Sequence, residues 1–202
     1  MCGLEFRDIV KSRYSARSFD GRKIPEEKME ELYEIIRNTP SALNLQPWKI
    51  KVITDQETKN RLLPATMDQP QVASCSHLLV FCASEQMKEH IEMVAAEMRK
   101  AGMTEERVDR YIRFARDYVV HVSPEQLKVW TQHNVFLALA TAMYGAESLG
   151  IDSSPMGRFD VAKYKRILKL PPYLIPTVLC ALGYATDTPG AKIRLPKEDI
   201  FF

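Results

Sequence analysis

Apolar residues recur at helical spacing in some stretches of the chain and at strand spacing in others. Glu5 to Lys11 forms a short helix and leads into a polar loop, Ser12 to Asp20. Pro25, Glu26 and Glu27 open a second helix, because proline suits the first helical position and acids suit its positive end. Met29, Leu32, Tyr33 and Ile36 share one face of it. Met87, Ile91, Val94, Ala95 and Met98 mark a third helix that ends at Gly102, and Tyr111, Phe114, Ala115, Tyr118 and Val122 mark a fourth. Ser123-Pro124-Glu125-Gln126 starts the next with a capping-box pair, and that helix runs to Gly150. Asp160 caps a last helix to Leu168. Trp48 to Thr54 alternates Ile50 and Val52 with Lys49 and Lys51, the pattern of a half-buried strand. Leu78 to Ala83 and Ile175 to Tyr184 are apolar throughout and read as strands buried on both faces, with Pro176 limiting pairing at the start of the second.

Val135 to Ala146 is apolar nearly all round, so it must be buried on nearly all sides, in the core or at a subunit interface. Ala138, Ala140, Ala142, Gly145 and Ala146 permit close backbone approach there. The tail, Lys192 to Phe202, ends in two phenylalanines that need a docking surface. Helices outnumber and separate the strands, which suits an α+β fold with a mixed sheet flanked by helices. At 202 residues with no repeat or linker, the chain is one domain, 1–202.

Charge narrows the functions. Lys+Arg 28 against Asp+Glu 26 leaves +2, with no basic stripe to attract a nucleic acid. The apolar run of 12 residues is well short of the ~20 that span a bilayer, and the start of the chain lacks a signal-peptide apolar region. Cys2, Cys75, Cys82 and Cys180 have no zinc-like spacing, and Cys82 and Cys180 lie inside apolar runs as small core residues. A reduced, soluble, cytoplasmic protein without membrane or metal is the expectation. No Gly-x-Gly-x-x-Gly follows a strand, which argues against a Rossmann cofactor domain but leaves a flavin or nucleotide held otherwise open.

Four segments carry candidate chemistry. Arg13-Tyr14-Ser15-Ala16-Arg17 can offer guanidinium forks and a hydroxyl to a phosphate, or be a solvated loop. Pro40-Ser41-Ala42-Leu43-Asn44-Leu45-Gln46-Pro47 carries donors and acceptors able to read a polar heterocycle, or bonds only its own backbone in a turn. Ser153 to Arg158 reads as a turn pointing backbone N–H groups at an acceptor, or as a plain connection, with Gly157 allowing close approach. Lys192-Ile193-Arg194 adds positive charge to an anion site or is a solvated tail. His133 on the long helix is a structural residue, and no Ser-His-Asp set or Gly-x-Ser-x-Gly elbow is present.

In order, these segments resemble the nitroreductase family of FMN-dependent NAD(P)H oxidoreductases. The resemblance rests on Arg13 to Phe19, Pro40-Ser41 with Asn44 and Gln46-Pro47-Trp48, Ser76 to Ala83, Leu149 to Gly157 with Phe159-Asp160, Leu182-Gly183-Tyr184, and Lys192 with Arg194. It implies a nitroreductase-like α+β fold, mainly antiparallel or mixed in its sheet, in an intertwined homodimer whose C-terminal tail wraps the partner. It also implies FMN at the dimer interface, NADH or NADPH as co-substrate, and a small-molecule acceptor such as a nitroaromatic or quinone. By resemblance, Arg13, Tyr14, Ser15, Lys192 and Arg194 hold the phosphate and ribityl chain, and Arg17 lies near the flavin pyrimidine. Pro40, Ser41, Ala42 and Asn44 come from the second subunit, and Pro155, Met156 and Gly157 face flavin N5. Asp68 and Gln71 stand where the family often has Asn and Lys, and Gln cannot favour negative charge on a reduced flavin as Lys would. Gly157-Arg158 also departs from the Glu-Gly of well-known members. Specialised flavin chemistry on the same fold, such as dehalogenation or flavin fragmentation, and a non-catalytic flavin-binding redox sensor are the alternatives. No side-chain acid or base is assigned, since the cofactor carries the chemistry.

Overall fold

The computed structural model describes residues 5–202, so Cys2 and most of the segment read as lacking a signal peptide lie outside the described residues. In chain order the elements are α1 (Phe6–Ser12), α2 (Glu26–Arg37), β1 (Trp48–Ile53), α3 (Gln56–Leu62), α4 (Pro70–Ser74), β2 (His77–Ser84), α5 (Met87–Lys100), α6 (Glu105–Val120), α7 (Pro124–Ser148), β3 (Asp152–Met156), α8 (Val161–Ile167) and β4 (Leu174–Gly183). The strands form one sheet in the order β1-β2-β4-β3, every neighbouring pair antiparallel.

The sheet is a middle layer, and strand alternation sorts its side chains between two cores. Leu79, Phe81 and Ala83 of β2 join Val178, Cys180 and Leu182 of β4 under α2 and α7. Leu78, Val80 and Cys82 face the other way with Leu179 and Ala181, against Ala16, Phe19, Leu62, Val72 and Tyr164. This two-sided burial is why both strands are continuous apolar runs. Pro176 is accommodated at an irregularity: Phe81 pairs with Val178 but Cys82 pairs with Pro176, so the register shifts there.

The helix signals act locally as their chemistry requires. Ser123 accepts from the Gln126 N–H and Gln126 returns a bond to the Ser123 N–H, which starts α7. Asp160 accepts from the Lys163 N–H at 2.9 Å and starts α8. Gly145 lets α2 pack against the α7 backbone, since a Cβ there would lie 2.8 Å from Ile35 Cγ2 and 3.1 Å from Leu32 Cδ1.

Two features differ from the sequence reading, and a third concerns the surface of the single chain. Residues 153–156 form an edge strand rather than a turn, recruited by backbone pairing with β4 rather than by any side-chain pattern. The short helices α3 and α4 occupy a stretch with no helical stripe long enough to detect. Within one chain α7 buries only one side, leaving Phe136 and Leu137 49% and 46% exposed. Phe201 and Phe202 are exposed as well.

Candidate functional site

The two ends of the described chain meet beside β3. Ser15 forms a parallel bridge with Ser153, and the Ala16 N–H donates to the Ser153 carbonyl at 3.1 Å. Residues 13–17 therefore cover the outer edge of β3, which would otherwise present unpaired backbone. Past β4, Ala185 bridges Phe19, and the Thr186 N–H donates to the Ser18 carbonyl at 3.1 Å. Asp187 then closes the junction. Its Oδ1 accepts from the Arg17 and Ser18 N–H groups at 3.0 and 3.3 Å, while its carbonyl accepts from the Tyr14 hydroxyl at 3.0 Å.

This clasp lays the tail across the end of α1. Lys192 Nζ donates to the carbonyls of Val10 and Arg13 at 2.8 and 2.7 Å, the negative end of the helix. Arg13 donates to the Tyr14 carbonyl at 2.9 Å and reaches Ser15 Oγ at 3.4 Å. Arg13, Ser15, Arg17, Lys192 and Arg194 all line one cavity of about 580 Å³. None of its arginines, nor Lys192, forms an ion pair among the described residues. Loss of hydration, then the like charges of Arg13 and Arg194, push the Lys192 ammonium below its ordinary value. Five cations, Lys11 included, face one carboxylate in this lining, Asp187, whose Oδ1 is taken by backbone N–H groups, and such an excess of positive charge is the electrostatic signature of an anion site.

The other expected site residues lie at 67–71 and 155–158, outside the lining of that cavity. Met67 and Asp68 both adopt left-handed backbone, φ +53° and +54°, which turns the chain sharply into α4. Gln69 donates to the Thr66 and Arg158 carbonyls at 3.0 and 3.2 Å, tying this turn to the residues after β3. Gln71 is buried and donates to Gln69 Oε1 at 3.3 Å. Pro155 is half-buried, Met156 buried and Gly157 exposed, with no atom within 4 Å of where its Cβ would sit. The Phe19 N–H donates to Ser74 Oγ at 3.2 Å, so the 13–19 segment and α4 are held together.

Residues 40–47 lie apart from this cluster. Asn44 and Gln46 line a different cavity of about 500 Å³ against α5, with Trp48, His90 and Met93. Leu43, Asn44 and Gln46 have positive φ, 56°, 52° and 47°, an accumulation of strain that only surrounding contacts can hold. Asn134 of α7 supplies one such contact, its Oδ1 accepting from the Ala42 N–H at 2.8 Å, and Ser41 Oγ accepts from the Gln46 N–H at 2.9 Å. Sequence reasoning missed Asn134 and Asp187. Each is a single polar residue whose partners are backbone groups far away in sequence, so no spacing marks it.

The remaining candidates are inert or structural. Burial raises the thiols of Cys75 to about 11 and of Cys82 and Cys180 to about 12, so none is a nucleophile at neutral pH. His133 is exposed rather than packed. No cluster of three or more potential metal ligands occurs among the described residues, and none of their helices is long and apolar enough to cross a membrane.

Known proteins share this architecture. The nitroreductase family model matches residues 10–184. A Staphylococcus haemolyticus protein with a provisional NAD(P)H nitroreductase name is 30% identical over 200 residues, covering 93% of this chain and 92% of its own. An NADH dehydrogenase of Thermus thermophilus is 29% identical over 198 residues, 98% of this chain and 95% of that one. Among solved structures, a provisionally named nitroreductase of Exiguobacterium sibiricum in complex with FMN superposes with a TM-score of 0.91 at 26% identity, covering 99% of this chain and 97% of that one.

Proposed function

The chain belongs to the nitroreductase family, and from that premise we propose that it is an FMN-dependent oxidoreductase that takes electrons from NADH or NADPH. The carrying observation is the convergence of Arg13 and Ser15 with Lys192 and Arg194 on one cavity, where cations outnumber the single carboxylate, Asp187. That donor set fits a phosphate ester: guanidinium and ammonium groups answer its charge, and the Ser15 hydroxyl adds a neutral hydrogen bond.

When bound, FMN would supply hydride acceptance from the nicotinamide and electron delivery to a small oxidant such as a nitroaromatic or quinone. The protein's part is positional. Arg13, Lys192 and Arg194 would hold the phosphate end, with Tyr14 buttressing them through its bond to the Asp187 carbonyl. Arg17, Asp68 and Gln71 would meet the ring edge, and the backbone of Pro155, Met156 and Gly157, tied to the 67–71 turn by the Gln69 bond to the Arg158 carbonyl, would contribute as well. Gln71 brings no charge to that edge, so Arg17 is the cation nearest in role to the family's lysine.

The site is completed by a second copy of the chain, which contributes Pro40, Ser41, Ala42 and Asn44. Support comes from an unpartnered apolar face on α1 and α7, where Phe6, Val10, Val129, Phe136 and Leu137 are exposed, and from the exposed terminal phenylalanines. Such obligate interfaces bury about 2,000 Å² or more. Anaerobic addition of NADH or NADPH to the FMN-loaded protein should bleach the flavin, and an added acceptor should restore it. Absence of reduction by either would remove the oxidoreductase reading, and a folded, flavin-loaded monomer in sedimentation would remove the shared site.

A further inference from the structure

A cavity of about 480 Å³ opens between the starts of α2, α3 and β2. It lies on the β1–β2 side of the sheet, whereas the cation cluster abuts β3 at the opposite edge, and none of that cluster lines it. Lys59 of α3 is in its wall and only 4% exposed. Its Nζ donates one hydrogen bond, 2.6 Å to the Cys75 carbonyl, and no carboxylate of the described residues approaches within 4 Å. An ammonium has three donors, so two remain; the Asp55 carboxylate feels its charge but makes no contact within 4 Å, so those donors stay unmet by protein.

His77 stands in the same wall and is also buried. Ser76 Oγ accepts from the Ile24 N–H at 2.9 Å and lies 2.9 Å from His77 Nδ1. The hydroxyl hydrogen has no other acceptor among the described residues, so it is assigned to Nδ1. The imidazole's own hydrogen is then on Nε2, without a protein acceptor. Burial pushes the ring below its ordinary value and keeps it neutral. Two acids share the cavity, but each answers a helix N-terminus. Asp55 accepts from the Thr58 N–H at 2.7 Å to cap α3, and Glu26 is exposed in the first turn of α2. With Lys23 at the rim the cavity is close to neutral overall, which disfavours a multiply charged ligand.

We infer that this cavity binds a compact oxyanion, a carboxylate or singly charged phosphate, held by Lys59 and His77. The inference is independent of the flavin reading. The competing account is that Lys59 serves only to cap the carbonyl that ends α4.

The test titrates protein in saturating FMN, so that a flavin phosphate site is filled, with sodium acetate and separately with sodium phosphate. Ionic strength is held constant with chloride, and the melting temperature is followed. A saturable rise with at least one of the two is expected, and the tighter of them identifies the chemistry. Lys59→Met should weaken it at least tenfold. No response beyond that of chloride, or a response that survives Lys59→Met, would overturn the site. If Lys59→Met fails to fold, His77→Phe decides the matter by removing the Nε2 donor at similar ring volume. Binding must then weaken severalfold, and the wild-type imidazole Nε2–H resonance must shift along the titration. An unmoved resonance refutes the proposal.

Discussion

Replacing Asp187 by Ala should loosen the cation cluster without touching any of its cations. The carboxylate accepts two backbone N–H groups, from Arg17 at 3.0 Å and Ser18 at 3.3 Å. Hydrogen bonds to a charged group contribute about 1.5–3 kcal/mol each, but the first of these is exposed and the second long, so water replaces part of both. A net loss of about 2 kcal/mol for the junction is reasonable, and at 1.4 kcal/mol per factor of ten this is about thirtyfold. The loss falls on the register between residues 13–18 and the tail, because Lys192 reaches the α1 carbonyls only if residues 188–191 leave the junction in the observed direction. FMN affinity, read by quenching of flavin fluorescence, should therefore drop by about ten- to thirtyfold. Asp187→Asn keeps an acceptor oxygen and should recover much of the loss, whereas a variant that merely unfolds would show no such rescue. Unchanged affinity in Asp187→Ala, or equal loss in Asp187→Asn and Asp187→Ala, would refute the clasp.

Two further outcomes follow from the same region. The Lys192 ammonium is held below its ordinary value in the free protein, and a bound phosphate would raise it, so binding takes up a proton wherever the pH lies between the two values. FMN affinity should thus be full at lower pH and decline as pH rises through that window, and Lys192→Met should flatten the profile; a wild-type profile already flat would contradict the assignment. Gly183→Ala would place a Cβ 2.7 Å from Phe19 Cδ1 and 2.9 Å from its Cγ, against a buried ring, and should cost roughly 1–3 kcal/mol, seen as a melting temperature lower by several degrees.

The elements that sequence patterning reveals are those whose side chains decide the conformation. The stripe in α2, the capping box of α7 and the two-sided strands β2 and β4 are each written in residues that meet their partners directly. β3 is not of that kind. Asp152-Ser153-Ser154-Pro155-Met156 has no alternation, and it is a strand because β4 pairs along one side and Ser15 bridges the other. The cation cluster was visible only through resemblance, because residues 13–17 and 192–194 are far apart in the chain and are joined by Asp187, a loop residue without a motif. Asn134 was hidden by being polar in an apolar helix, where its amide is spent on the Ala42 backbone. The exposed Phe136 and Leu137 mark the other limit, since a helix read as buried all round buries only one side within its own chain.

In the proposed function FMN is held by the joined chain ends. Apoprotein of the wild type and of Arg13→Ala should be titrated with FMN under identical buffer and salt. Binding of one FMN per chain is expected for the wild type. Loss of the Arg13 charge-assisted contact should cost about 1.5–3 kcal/mol, an affinity roughly ten- to over a hundredfold weaker. Equal affinity in the two proteins, or no FMN binding by the wild type, would contradict it.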